Sequence, residues 1–331
     1  SIYRSKGVLL MKKIAVYGHR GYRGLLPEHS LEGYKFALEL GVDYLDGDIV
    51  LTKDEKIILA HDLYVNADLI QNDNGEFIGV AGANTKNIPE HFLYKNLTLG
   101  EIKNYNSGKI NPHSEYKKYF PQQTALPKSE ILELSELFRL LKNYPKTALQ
   151  LEIKSDVNNP NFSANNNILI HKLYQLLTEY KLLERVEVQS FDYQCLLAVQ
   201  QLDRTIKTSY LTSYESIAIQ GATGYDDSFY NEETLIAGKW TAGHLLKNYN
   251  NSIPLMIKSL GGAVWSVEDV ALTFEEVQEA HGYGLKVVAW TWPEHSGKTF
   301  DEPLLKKLIS YGIDGIITDN IDQVLKLLNR L

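Results

Sequence analysis

A single cysteine, Cys195, is all the thiol chemistry this 331-residue chain carries, so no internal disulfide can staple it. That is compatible with a reducing compartment without requiring one. No apolar stretch nears the ~18 residues of a membrane-spanning helix. No basic stripe stands out and the net charge is -7, which argues against nucleic acid as the main partner. A glycine-rich nucleotide turn is missing as well, because Gly18, Gly21 and Gly24 recur every third residue and do not match the dinucleotide fingerprint. What the chain does have is 44% hydrophobic residues, enough for a sizeable core.

Apolar runs near Ile14, Tyr44, Ala148, Val186, Ile206, Ala263, Val287 and Gly315 read as strands, each followed by helical periodicity. Eight such units predict an α/β chain whose residues 11–331 close into a (β/α)8 TIM barrel, with an open doubly wound sheet as the alternative. Residues 63–128 break the rhythm. They are too long for a structureless loop in a compact domain and read as a small insertion subdomain after the second strand. The stretch 212–251 is the least legible, with Gly-Tyr-Asp-Asp turns at 224–227 and a helix near His244. Residues 1–10 precede Met11-Lys12-Lys13, which looks like a natural beginning. They read either as an artificial extension, placing a chain that starts at Met11 in the cytoplasm, or as the remnant of a leader cleaved upstream of Ser1, implying a periplasmic or secreted protein.

The organising stretch runs from Tyr17 to Asp62. Asp46 and Asp48 are two apart on a strand and therefore lean from the same face. Burying two like charges together calls for a cation or a raised pKa. Glu152 ends the next barrel strand, about 5 Å away, and three carboxylates at that range suit a hard divalent cation, Ca2+ or Mg2+. The plainer reading of each acid is a solvated strand end or a helix cap. His19 and His61 adjoin strand ends and can serve as a general base and general acid. Arg20 and Lys154 bring positive charge, either to bind an anionic group or to hold the carboxylates in place. Phe191, Trp290 and Trp292 read as an apolar wall for one end of a substrate, or as core packing.

His19-Arg20-Gly21, Pro27-Glu28-His29-Ser30, the acid-x-Asp pair, Thr52-Lys53-Asp54 and His61-Asp62 together resemble the glycerophosphodiester phosphodiesterases. The resemblance implies metal-dependent hydrolysis of glycerophosphodiesters, such as glycerophosphocholine and glycerophosphoethanolamine, to sn-glycerol 3-phosphate and an alcohol. It makes His19 and His61 the catalytic pair and Asp46, Asp48 and Glu152 the metal ligands. Glu28 is expected near the same ion, and His29 orients the loop or joins the metal's surroundings. One departure is that Asp46 stands where the family usually has Glu, so the shorter side chain must draw the ion closer or bind it through water. The insertion resembles that of the larger, periplasmic branch, and an overhang at the mouth would favour small, deacylated substrates. Two other readings stay open: a lipid phosphodiesterase of the phospholipase D or sphingomyelinase type, whose relatives usually carry disulfides, and a barrel that has lost catalysis.

Overall fold

The structure, a computed structural model, describes residues 2–5, 8–81, 87–213 and 238–331. An antiparallel hairpin, β1 (Ile2–Ser5) and β2 (Val8–Met11), forms a two-stranded sheet of its own. The second sheet contains β3 (Ala15–Gly18), β4 (Tyr44–Leu51), β5 (Ile57–Leu59), β6 (Ala148–Ile153), β7 (Val186–Ser190), β8 (Lys207–Thr212), β9 (Val264–Glu268), β10 (Lys286–Trp290) and β11 (Gly315–Thr318). All but β5 run parallel, and β5 returns antiparallel along β4. Pairing of β11 with β3 and of β3 with β4 closes the eight parallel strands into a barrel. Every strand read from the sequence is present, with ends displaced by a residue or two.

The helices are α1 (Leu31–Leu40), α2 (Leu99–Ile102), α3 (Leu134–Leu141), α4 (Asn166–Glu179), α5 (Tyr193–Leu202), α6 (Ile253–Leu260), α7 (Phe274–Gly282), α8 (Pro293–Ser296), α9 (Glu302–Tyr311) and α10 (Ile321–Leu327). Among the described residues no helix is long and apolar enough to cross a membrane. Ser30 caps α1 by accepting the Gly33 N–H at 3.0 Å, and buried Tyr34, Ala37 and Leu38 lie on one helical face. Both α1 and α9 stop at a left-handed glycine, Gly41 (φ 82°) and Gly312 (φ 91°). Each glycine is followed by a buried aliphatic residue and an aspartate. Asp43 accepts the Val16 N–H and Asp314 the Val287 N–H, each at 2.8 Å, so one short phrase ties two helix ends to two strand starts.

The main core lies between the strands and the helices around them. Inside the barrel a smaller apolar cluster joins Tyr17, Val264, Val288 and Ile317. Near the strand starts, Glu187 is buried and accepts from the Tyr17 hydroxyl at 2.6 Å and from Lys286 Nζ at 3.0 Å. Lys286 also donates to Tyr17 and Tyr44, whose rings stack with centroids 4.1 Å apart. A buried carboxylate is tolerable only when paired this completely, and the group plugs that end of the barrel.

Between β5 and α3 the chain makes short 3-10 turns, α2 and isolated bridges. It has its own apolar cluster, in which Leu63, Val65, Ile70, Tyr94 and Ile102 pack on Val50 and Ile58, so the insertion leans on β4 and β5. The helix expected near His244 is instead a turn followed by a 3-10 segment, Leu246–Tyr249. Left-handed Ala242, Gly243 and Asn250 interrupt helical propagation there. The Gly-Tyr-Asp-Asp turns at 224–227 lie outside the described residues.

Candidate active site

The loop after β3 is folded tightly against the end of β11. His19 N–H donates to Thr318 O and Gly24 N–H to Asp319 O, each at 3.0 Å. A Cβ on Gly24 would lie 2.1 Å from the Asp319 carbonyl oxygen, so only glycine permits this approach. Arg20 (φ 53°) and His29 (φ 57°) are both left-handed, and the His29 N–H closes the loop on Arg20 O at 2.9 Å. Left-handed residues other than glycine are uncommon, and such strain collects where a side chain must be aimed.

The two histidines are held alike. His19 Nδ1 is 2.9 Å from Asp319 Oδ1, and His61 Nδ1 is 3.1 Å from Asp62 Oδ1. Each acid is itself fixed through its other oxygen, Asp319 by Arg23 Nη2 and Asp62 by Asn66 Nδ2, both at 2.9 Å. A carboxylate on Nδ1 selects the tautomer with its proton there and leaves Nε2 free for chemistry. Burial pulls His19 down to about 4, with Asp319 opposing and Arg23 reinforcing the shift. His61 is lowered too, by burial and by Arg20 and Lys154. His19 is therefore neutral at pH 7.

Asp46 and Asp48 are buried in the middle of β4, and Glu152 stands opposite Asp48 in the β4–β6 register. Asp46 Oδ2 lies 3.9 Å from His19 Nε2. Lys154 Nζ pairs with Glu152 Oε1 at 2.9 Å, and Arg20 Nη1 with Glu28 Oε2 at 2.9 Å. Burial raises the Asp46 carboxyl well above its ordinary value, and Asp48 and Glu152 raise it further. Glu152 is pushed up to about 7 by burial, against the pull of Lys154 and with Asp48 adding to the rise. Asp48 goes the other way: burial is overcome by His29, Arg20, His61 and Lys154, which hold it well below the carboxylate range.

Burial and mutual repulsion thus oppose ionisation of Asp46 and Glu152 despite Arg20 and Lys154. Asp48 Oδ2 is also buried with no hydrogen bond, although His29 Nε2 is 3.1 Å away, because that nitrogen faces the Asp48 N–H at 3.2 Å. A carboxylate oxygen with no hydrogen bond, its ion pair to Arg20 Nε stretched to 3.5 Å, beside two acids that resist ionisation fits a hard cation with oxygen ligands. As the side chains stand, no three His, Cys, Asp or Glu among the described residues form a ready-made metal cage. Glu28 has both oxygens engaged, Oε1 by the Tyr116 hydroxyl and Oε2 by Arg20, so here it buttresses Arg20.

Elsewhere on the mouth, Phe191 meets Trp290 edge to face at 5.9 Å, and Trp290 lies 6.2 Å from Trp292. Trp290 and Phe191 are half-buried, and Trp290 also packs against the apolar cluster inside the barrel. A cavity between the first loop and the insertion reaches His61, Asp62 and Glu28 and is floored by Tyr94, Ile70 and Ile110. Sequence reasoning gave no role to Arg23, Asp319, Asp62 or Tyr116. Asp319 ends the last strand and Asp62 adjoins His61, so position alone marks both. Arg23 and Tyr116 carry no periodic or motif signal.

Residues 19–323 match the model of the glycerophosphoryl diester phosphodiesterase family. The glycerophosphodiester phosphodiesterase of Bacillus subtilis is 28% identical over 258 residues, spanning 78% of this chain and 77% of the relative. That of Caldanaerobacter subterraneus is 25% identical over 318 residues, spanning 96% and 99%. Among solved structures, an Oleispira antarctica phosphodiesterase in complex with the product sn-glycerol-3-phosphate superposes with a TM-score of 0.61 at 19% identity, covering 95% of this chain and 96% of that one. The motifs, the barrel and the match over nearly all its length agree: the chain belongs to the glycerophosphoryl diester phosphodiesterase family.

Proposed function

We propose that this phosphoric diester hydrolase cleaves small glycerophosphodiesters, glycerophosphocholine and glycerophosphoethanolamine among them, to sn-glycerol 3-phosphate and an alcohol by paired-histidine catalysis at a divalent-cation site. The observation that carries the reading is the pair of imidazoles, each anchored through Nδ1 on its own acid, flanking three carboxylates at the barrel mouth. The product complex of the Oleispira relative supports the glycerol phosphate end of the substrate.

Asp46, Asp48 and Glu152 would hold Ca2+ or Mg2+, which when bound supplies Lewis acidity toward a phosphate oxygen and neutralises charge growing in the transition state. Arg20, aimed by its left-handed backbone and steadied by Glu28, presents its guanidinium to the same phosphate. His19 is buried and neutral, so Nε2 accepts the proton of the attacking hydroxyl. His61, beside the cavity, acts as the imidazolium: Asp62 holds its Nδ1–H, and the second proton, on Nε2, passes to the departing alkoxide. Phe191, Trp290 and Trp292 form the apolar face for the alcohol, and the insertion narrows the approach so that diacyl lipids are excluded.

The test is turnover of glycerophosphocholine with Ca2+ or Mg2+ by the wild type and by His19→Ala and His61→Ala. Loss of at least about a hundredfold in kcat for each is expected. Full turnover in both variants would remove the acid–base assignment.

A further inference from the structure

Arg23 is the most heavily braced residue of the site and belongs to none of the motifs. It is 2% exposed. Its fork grips Asp319 with two parallel hydrogen bonds, Nε to Oδ1 at 2.7 Å and Nη2 to Oδ2 at 2.9 Å. Asp319 in turn holds His19 Nδ1, which Arg23 Nη2 also approaches to 3.1 Å, so the fork steadies the ring both directly and through the carboxylate. Everything behind the guanidinium comes from the insertion. Its plane lies 4.4 Å from the Phe120 ring centroid, Nη1 donates to the Tyr116 hydroxyl at 2.8 Å, and the Gln123 amide donates to the Arg23 carbonyl at 2.8 Å. The same Tyr116 hydroxyl donates to Glu28, the partner of Arg20.

We propose that Arg23, clamped by Tyr116 and Phe120, is a positioning residue for His19, which makes the insertion part of the catalytic apparatus as well as a cover. The physical reason is geometric. A carboxylate anchored at one oxygen can pivot, and the imidazole on its other oxygen pivots with it. A planar fork bound to both oxygens removes that freedom, provided the fork itself cannot slide. Phe120 and Tyr116 stop it from sliding along its plane. Lysine offers a point charge with no fork, so charge alone does not reproduce the arrangement.

The inference rests on His19 acting in diester cleavage, and the experiment separates the two ideas. Tyr116→Phe, Phe120→Leu and Arg23→Lys are compared with wild type for kcat and KM on glycerophosphocholine at saturating Ca2+. The downfield proton resonance of His19 Nδ1–H, identified by its loss in His19→Ala, is followed in the metal-free proteins. Arg23→Lys is expected to lose about a hundredfold in kcat and Tyr116→Phe about tenfold, with KM within about twofold. The resonance broadens or disappears in both while the melting temperature of Tyr116→Phe stays close to wild type. Unchanged kcat with an unchanged resonance, or a change confined to KM, overturns the proposal. If Arg23→Lys does not fold, Tyr116→Phe and Phe120→Leu decide. If wild type shows no turnover, the reaction assigned above fails, and the resonance alone judges the brace.

Discussion

Asp48 and Glu152 face each other across the β4–β6 ladder, two acids on adjoining strands, with Lys154 paired to Glu152 at 2.9 Å. Such a pair is more stable with a cation than without. Chelation is therefore expected to lower the melting temperature, and added Ca2+ or Mg2+ to increase the unfolding free energy by about 2–3 kcal/mol at a hundredfold excess over the dissociation constant. Asp48→Asn and Glu152→Gln should weaken cation binding in calorimetric titrations. Equal heats in wild type and both variants would place the ion elsewhere.

Asp62 does for His61 what Asp319 does for His19, with Asn66 holding its second oxygen. Asp62→Asn keeps the shape but offers an amide where the imidazole needs an acceptor. A loss of kcat of about 10²-fold or more with little change in KM is expected, read from steady-state kinetics on glycerophosphocholine. A variant as fast as wild type would show that His61 keeps its tautomer unaided.

Acid stability should depend on the two strand-tying aspartates. Burial opposes ionisation of Asp43 and Asp314, but Arg330 and the Val16 N–H at Asp43, and Lys12 and the Val287 N–H at Asp314, bring both below the ordinary carboxylate value. The unfolded chain then binds more protons than the folded one. Their stabilisation is present above pH 3.8, the ordinary aspartate value, and is lost as pH falls through the lowered folded values. Asp43→Asn and Asp314→Asn are expected to cost about 1–2 kcal/mol each at pH 7 and to flatten the decline in stability on acidification. Denaturant unfolding at pH 7 and pH 3 measures both effects.

Gly24→Ala carries a sharp expectation, since the added methyl would overlap the Asp319 carbonyl. The first loop must then lift from β11, taking His19 away from its acid. A loss of about 2–4 kcal/mol in stability is expected, together with loss of activity. Normal stability and rate in Gly24→Ala would mean that the loop has slack this packing does not suggest.

Most of the barrel was legible because its strands are apolar runs separated by helical periodicity, and each polar motif fell where a strand stopped. Asp48 and Glu152 could be paired from sequence because strand adjacency fixes register to within a residue. The brace around His19 could not, since Arg23, Tyr116 and Asp319 come from three distant parts of the chain and meet only in three dimensions. The insertion was visible as a break in rhythm, but which of its tyrosines reaches the site depends on how it leans on β4 and β5. Near His244, left-handed backbone at Ala242 and Asn250 overrode a helical composition.

The partner of His19 lies 300 residues further along the chain. Translation must therefore run 300 residues past the imidazole before its carboxylate exists, so this hydrogen-bonded pair cannot form until β11 has been made. Loss of β11 and the residue that follows it, by a premature stop or by proteolysis, leaves His19 and Arg23 without their shared carboxylate even if every residue of the opening motif survives.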